Sequence, residues 1–259
     1  MLKSHKLKPN KVLVIVMLLL LLCTYVALYF NMHMVSKIVK LTTVTVLLTF
    51  YFCQLHKMAN VFILTFLVFF IGDAFSVFEF GELSSKLSKI SYLGSYVLLI
   101  CVLLGKLKRV KFEGLVTVYL AVVLLLNSYF LYILYGVAKN NFVDHANLLI
   151  YICHGIVIIA LTYFSFAVYL SRETAQSITF LLMVFCFAFS DVLHYICGMY
   201  VYFWVFEVFE HMLHIAGLFL LYKYVYDHHT NNYSDKRIHL SKYGIPTTEK
   251  LRQIPVNLS

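Results

Sequence analysis

The chain has 259 residues, 62% hydrophobic and only 13% charged, with a formal net charge of +9. Soluble domains carry about 25% charged residues, and here apolar runs of about 20 residues recur, each able to cross ~30 Å of hydrocarbon. A soluble fold is excluded, and the continuous runs disfavour a β-barrel, whose segments alternate over about ten residues.

Residues 1–11 form a basic N-terminal flank. The apolar run over 12–30 is too long for a signal-peptide core and no small-x-small site follows, so it is read as an uncleaved first span. Seven more spans are predicted at 35–55, 60–80, 90–105, 115–136, 147–170, 177–197 and 201–222, the fourth being short. Together they make an all-α membrane protein, an eight-transmembrane-helix bundle over 12–222. Residues 223–259 are polar and read as a solvent-exposed, partly disordered cytoplasmic tail.

Basic residues orient this bundle. With both termini inside, sixteen of the 21 Lys and Arg fall on the inner side, and only Lys37, Lys40, Lys86, Lys89 and Lys139 fall outside. The positive-inside rule therefore predicts a multi-pass protein of the cell membrane with both termini cytoplasmic. The basic excess is explained by loops and headgroups, so no nucleic-acid partner is expected. Glu82, Lys86 and Lys89 read as a solvated loop face.

Six cysteines (Cys23, Cys53, Cys101, Cys153, Cys186 and Cys197) stand singly, which indicates neither a disulfide framework nor a zinc knuckle. No P-loop, dinucleotide fingerprint or nucleophile elbow occurs, and no cofactor is expected.

The stretch 181–217 carries Asp191, His194, Glu207, Glu210, His211 and His214 within apolar sequence. Ionisable groups at bilayer depth cost roughly 2.5–3.5 kcal/mol each, so they mark function by default. Positions 207, 210, 211 and 214 share one helical stripe, and Asp191 and His194 share a face of the preceding helix. Asp73 and Asp191 each lie about 10 Å inside their span's outer end at 1.5 Å per residue. The eighth span brings Glu207 to His211 to the same level. An internal echo links FLVFFIGDAFSVFEFG around Asp73 to VFCFAFSDVLHYICG around Asp191. It falls in the third and seventh spans and points to two parallel four-helix halves.

The pairs Gly72-Asp73 and Ser190-Asp191, in an eight-span chain, resemble the YhhN family, which includes the lysoplasmalogenases. Lys40-Leu41-Thr42-Thr43 opens the second span where that family shows Lys-Pro-Leu, and Tyr151 lies early in the sixth span, where a tyrosine is expected. The likeness covers residues 35–222. It departs in lacking the proline after Lys40, in showing Gly94-Ser95-Tyr96 for a His-Tyr element, and in the Glu/His stripe at 207–214.

The resemblance implies hydrolysis of the vinyl-ether bond of lysoplasmalogen-type lysolipids, releasing a fatty aldehyde and a glycerophospho head. That chemistry begins with protonation of carbon, and water then captures the oxocarbenium ion. It wants one carboxylic acid that still holds its proton and a second carboxylate to steady the cation. Asp73 and Asp191 are the expected catalytic pair, in either order. Gly72 and Ser190 are expected to leave room beside them, His194 to tune Asp191, and Glu207, Glu210, His211, His214 and Tyr151 to support the site. The partners are then a membrane lysolipid and the bilayer. Two alternatives stay open. One is a metal-dependent membrane hydrolase using His194, His211 and His214 with Asp191 or Glu210. The other is a proton-coupled transporter or sensor using the acids as a relay, although few glycine or proline breaks interrupt the spans.

Overall fold

The computed structural model describes residues 9–53, 60–78, 81–107, 114–141, 145–172, 174–199 and 203–242. Within them lie eight helices and no strand: α1 (Pro9–Tyr29), α2 (His33–Cys53), α3 (Asn60–Val77), α4 (Glu82–Leu107), α5 (Leu115–Asn141), α6 (His145–Arg172), α7 (Ala175–Met199) and α8 (Trp204–Lys242). All eight are long and apolar enough to cross a membrane. Most of the basic flank, and the end from 243, lie outside the described residues.

Local chemistry sets the turns. Asn31 has φ 57°, a left-handed conformation that Asn tolerates better than bulkier residues. Around it the Met32 amide donates to the Ala27 carbonyl at 2.7 Å and the Asn31 amide to Leu28 at 3.0 Å. This is a Schellman ending, which lets α2 start at once. At the head of α7, the Ser177 amide donates to Thr174 Oγ1 at 3.2 Å, and the Thr174 amide to Ser177 Oγ at 3.1 Å. The two side chains thus satisfy amides reciprocally, as in a capping box. Inside the spans, hydroxyls turn back on their own helix: Thr43 donates to the Val39 carbonyl and Thr65 to Val61. No water is needed to satisfy them.

Two boundaries differ from the sequence reading. The fourth helix begins at Glu82, well before the expected 90. Its polar first turns find partners on α3: Ser84 Oγ donates to the Phe75 carbonyl at 2.6 Å, and Ser88 Oγ to Gly72 at 2.8 Å. The eighth helix does not end at 222 but continues through Lys242. Between Gly217 and Gly244 there is no glycine or proline to stop it, and helix propagation is cooperative. Packing also carries past 222, because Tyr224 and Val225 are buried.

The closest pairings are α7 with α8 and α3 with α4. Contacts of α1 with α2 and α2 with α3 recur as α5 with α6 and α6 with α7, and the contact of α2 with α8 has its counterpart in α4 with α6. These pairings repeat between the two four-helix halves, whereas the contact of α1 with α8 has no comparable counterpart of α5 with α4 among the described residues. The core between α2, α3, α4, α7 and α8 is rich in aromatic rings. Phe69 stacks on Phe187 with ring centroids 5.1 Å apart, and Tyr96 closes on both.

Gly217 permits the tight approach of α8 to α7. A methyl group there would stand 2.7 Å from the buried Phe187 ring. Gly217→Ala should therefore destabilise the bundle by about 1–3 kcal/mol through overpacking, read as a lower thermal midpoint in detergent. An unchanged midpoint would show that Phe187 can give way.

Candidate functional site

A cavity of about 670 Å³ is sunk among α2, α3, α4, α6, α7 and α8, at the end of the bundle that holds the turn at Gly81. Its wall includes Asp191, His194, Glu207, Glu210, His211 and His214, so the two polar stretches recognised in sequence meet there. Lys37, Lys40, Glu82 and Lys89 also line it. Glu82 and Lys89, read in sequence as a loop face, belong to the cavity because α4 starts early enough to carry them inward.

Asp191 stands on α7 with its side chain 17% exposed. Tyr96 Oη donates to its Oδ2 at 2.8 Å, and His154 Nε2 lies 2.9 Å from the same oxygen. Both partners act on one oxygen, and Oδ1 takes no hydrogen bond from the described residues. His154 is itself buried and edge-on to the Tyr96 ring, so the pair is fixed against a wall of the core.

Asp73 does not reach the cavity wall. Its side chain is wholly buried on α3, with the Tyr92 hydroxyl donating to Oδ1 and His214 Nε2 at 3.7 Å. Its Oδ2 has no hydrogen-bond partner among the described residues. The rings of Tyr92 and His214 do line the cavity and stand between it and this carboxyl. The two aspartates are related through α4, because Tyr92 and Tyr96 lie one turn apart and each serves one of them. Each aspartate also meets a group from the other half's last helix: Tyr96 of α4 for Asp191, and His214 of α8 for Asp73.

The room expected beside each carboxyl is filled. A Cβ at Gly72 would meet the Tyr92 ring at 3.1 Å. Ser190 Oγ donates to the Glu210 carbonyl at 2.9 Å. These small residues allow α4 and α8 to approach; they do not make space for a ligand.

Glu210 is the centre of a second cluster. Lys40 Nζ lies 3.7 Å from its Oε1, and His194 Nδ1 3.3 Å from the same oxygen. Lys40 also sits 5.5 Å from the centre of the Tyr92 ring, within cation–π range. His194 was expected to tune Asp191; it turns to Glu210, and His154 holds the place beside the aspartate. His211 Nδ1 donates to the Glu207 carbonyl at 2.9 Å, and Glu207 meets His33 at 3.0 Å near the mouth.

His211 Nδ1 also lies 3.9 Å from Glu210 Oε2, so His194 and His211 both face that carboxylate while His214 faces Asp73. Among the described residues no group of three His, Cys, Asp or Glu side chains could hold a metal ion. Tyr151 does not line this cavity; it is buried behind it, edge-on to Tyr195 with ring centroids 4.5 Å apart.

Sequence reasoning missed His154, Tyr92, Tyr96, Tyr195 and Lys40 as site residues. His154 carried the same signal as the other intramembrane histidines, an ionisable group in an apolar span. Tyr92 and Tyr96 lie one turn apart in SYLGSYV, where only Tyr96 was noted, as part of the element standing for His-Tyr, and Tyr195 had no signal among 20 Tyr.

No family model, curated protein or solved structure matches the chain.

Proposed function

We propose that the chain is a hydrolase of the cell membrane that cleaves the vinyl-ether bond of a lysoplasmalogen-type lysolipid, with Asp191 as the proton donor. The observation that carries this reading is the half-engaged carboxyl of Asp191. Tyr96 and His154 hold Oδ2, while Oδ1 has no hydrogen-bond partner among the described residues, on the wall of a cavity among apolar helices.

Protonated at Oδ1, Asp191 delivers its proton to the vinyl carbon remote from the ether oxygen. The π pair forms the new C–H bond and leaves an oxocarbenium ion. The Asp191 carboxylate then lies beside that cation and steadies it in a setting of low dielectric. Water adds to the cationic carbon and returns a proton to Asp191. The resulting hemiacetal breaks its C–O bond to give a fatty aldehyde and the free alcohol of the head, so one water is consumed per bond cleaved. Asp73, set behind Tyr92 and His214, is a positioning residue in this scheme. That assignment gives Asp191 both roles that were expected to be divided between the two aspartates.

Mass spectrometry of lysoplasmalogens incubated with purified wild-type and Asp191→Asn protein tests the reading: fatty aldehyde should appear with the first only. Absence of aldehyde from the wild type across several lysolipid heads would sink it and favour a proton relay through the same acids. A metal-dependent route finds no converging donor set among the described residues.

The excess of Lys and Arg on one side supports cytoplasmic termini, with the cavity opening on the opposite face. A reporter fused at Ser259 should be active only in the cytoplasm; activity confined to the outer side would reverse the topology.

Tyr96→Phe removes one of the two groups that hold Oδ2 and leaves the ring in place. It should lower kcat by about tenfold, one hydrogen bond of about 1 kcal/mol or more, with KM little changed. An unaltered kcat would show that His154 alone orients the carboxyl.

A further inference from the structure

A second cavity, of about 320 Å³, lies between α5, α6 and α7 and shares a wall with the first at Asp191 and Tyr195. Its sides are apolar, formed by residues such as Leu131, Leu134, Ile159 and Phe189. Ala188, one turn before Asp191 on α7, leaves room on one wall, while Gly155 on α6 lets Leu131 of α5 pack close and form another. Resting on the hydrolase reading, we propose that this cavity holds the hydrocarbon chain of the lysolipid, with the polar head in the larger cavity.

Three observations carry the assignment. First, the two cavities differ in chemistry and meet at the reactive group. A vinyl-ether bond sits where the hydrocarbon of a lipid joins its polar part, and Asp191 sits where the apolar cavity joins the polar one. Second, the dimensions fit. The cavity runs along α6 from Tyr151 to Thr162, about 16 Å at 1.5 Å per residue. That is about half of the ~30 Å hydrocarbon core, the depth one chain occupies in one leaflet. Third, the head has a place: the larger cavity is lined by both signs of charge, Lys37, Lys40 and Lys89 with Glu82, Glu207 and Glu210, which suits a zwitterionic head with a phosphate and an ammonium.

The occupancy can be read without turnover. In a Trp204→Phe background, an Ile159→Trp reporter would line the cavity, and a Leu125→Trp reporter would face lipid, since Leu125 is 69% exposed. The probe is a brominated palmitoyl lysophosphatidylcholine with an ester link, added to nanodiscs of unbrominated lipid. Quenching should be several-fold stronger for the Ile159→Trp reporter than for Leu125→Trp. Adding Ala188→Phe, or Ala188→Leu if the larger residue prevents assembly, should abolish that excess. Equal quenching of the two reporters, or an excess that survives filling at Ala188, would overturn the proposal. Because the probe has no vinyl ether, the excess would persist if the hydrolase reading failed, and hydrolysis without the excess would remove only the chain site.

Discussion

Asp191→Asn lowers vinyl-ether hydrolysis by about 10²–10⁴ while the protein inserts and folds as before. The magnitude is that of general acid catalysis lost from a positioned side chain. Asparagine keeps the shape and still accepts the hydrogen bond from Tyr96, so the contacts that hold α7 to α4 and α6 survive. What disappears is the transferable proton at Oδ1, and with it the carboxylate that would face the cation. The comparison is Asp73→Asn. Its amide oxygen can still accept from Tyr92, and it lies off the cavity wall, so a smaller loss is expected. Initial rates of aldehyde release for both variants decide the matter. Equal, large losses would restore two catalytic carboxyls; near-wild-type rates in Asp191→Asn would end the assignment.

The fold was legible because membrane spans are written in length and apolarity, and each of the eight expected runs coincides with a helix. The misplaced ends are those where helix outlasts hydrophobicity. The start of α4 is polar because Ser84 and Ser88 bond to α3, and the end of α8 is polar but contains no residue that breaks a helix. Position along each helix could be counted from the sequence, since rise along a helix is fixed. Direction around the bundle could not, because it depends on which helices become neighbours. Hence Asp73 and Asp191 have the same count from their spans' outer ends, yet one lies behind Tyr92 and the other on the cavity wall. The tyrosines that engage them were not read as site residues for a related reason: hydroxyls carry no charge, so no insertion cost singles them out among the lipid-facing rings.

Glu210→Leu should be the most destabilising of the site changes, by about 3 kcal/mol, the lower end of what breaking one partner from a buried ion pair costs. The lower end applies because the Lys40–Glu210 separation is 3.7 Å, a long contact, and both side chains line the cavity. The cost still stands because Lys40 is only 12% exposed and Glu210 7%, so water can replace the lost carboxylate only in part. Lys40 would keep the face of Tyr92, which offsets a fraction of the loss. The cluster also has a consequence for Asp73, whose Tyr92 partner lies under Lys40. A displaced Lys40 would disturb that ring, so Glu210→Leu should lower activity as well as stability. Lys40→Met combined with Glu210→Leu removes both charges, and most of the lost stability should return, as it does when buried ion pairs give way to apolar packing. Thermal midpoints of the two single variants and the double variant in one detergent form the test. If the double variant is as unstable as the two losses added together, the charges do not act on each other and Glu210 is held by His194 instead.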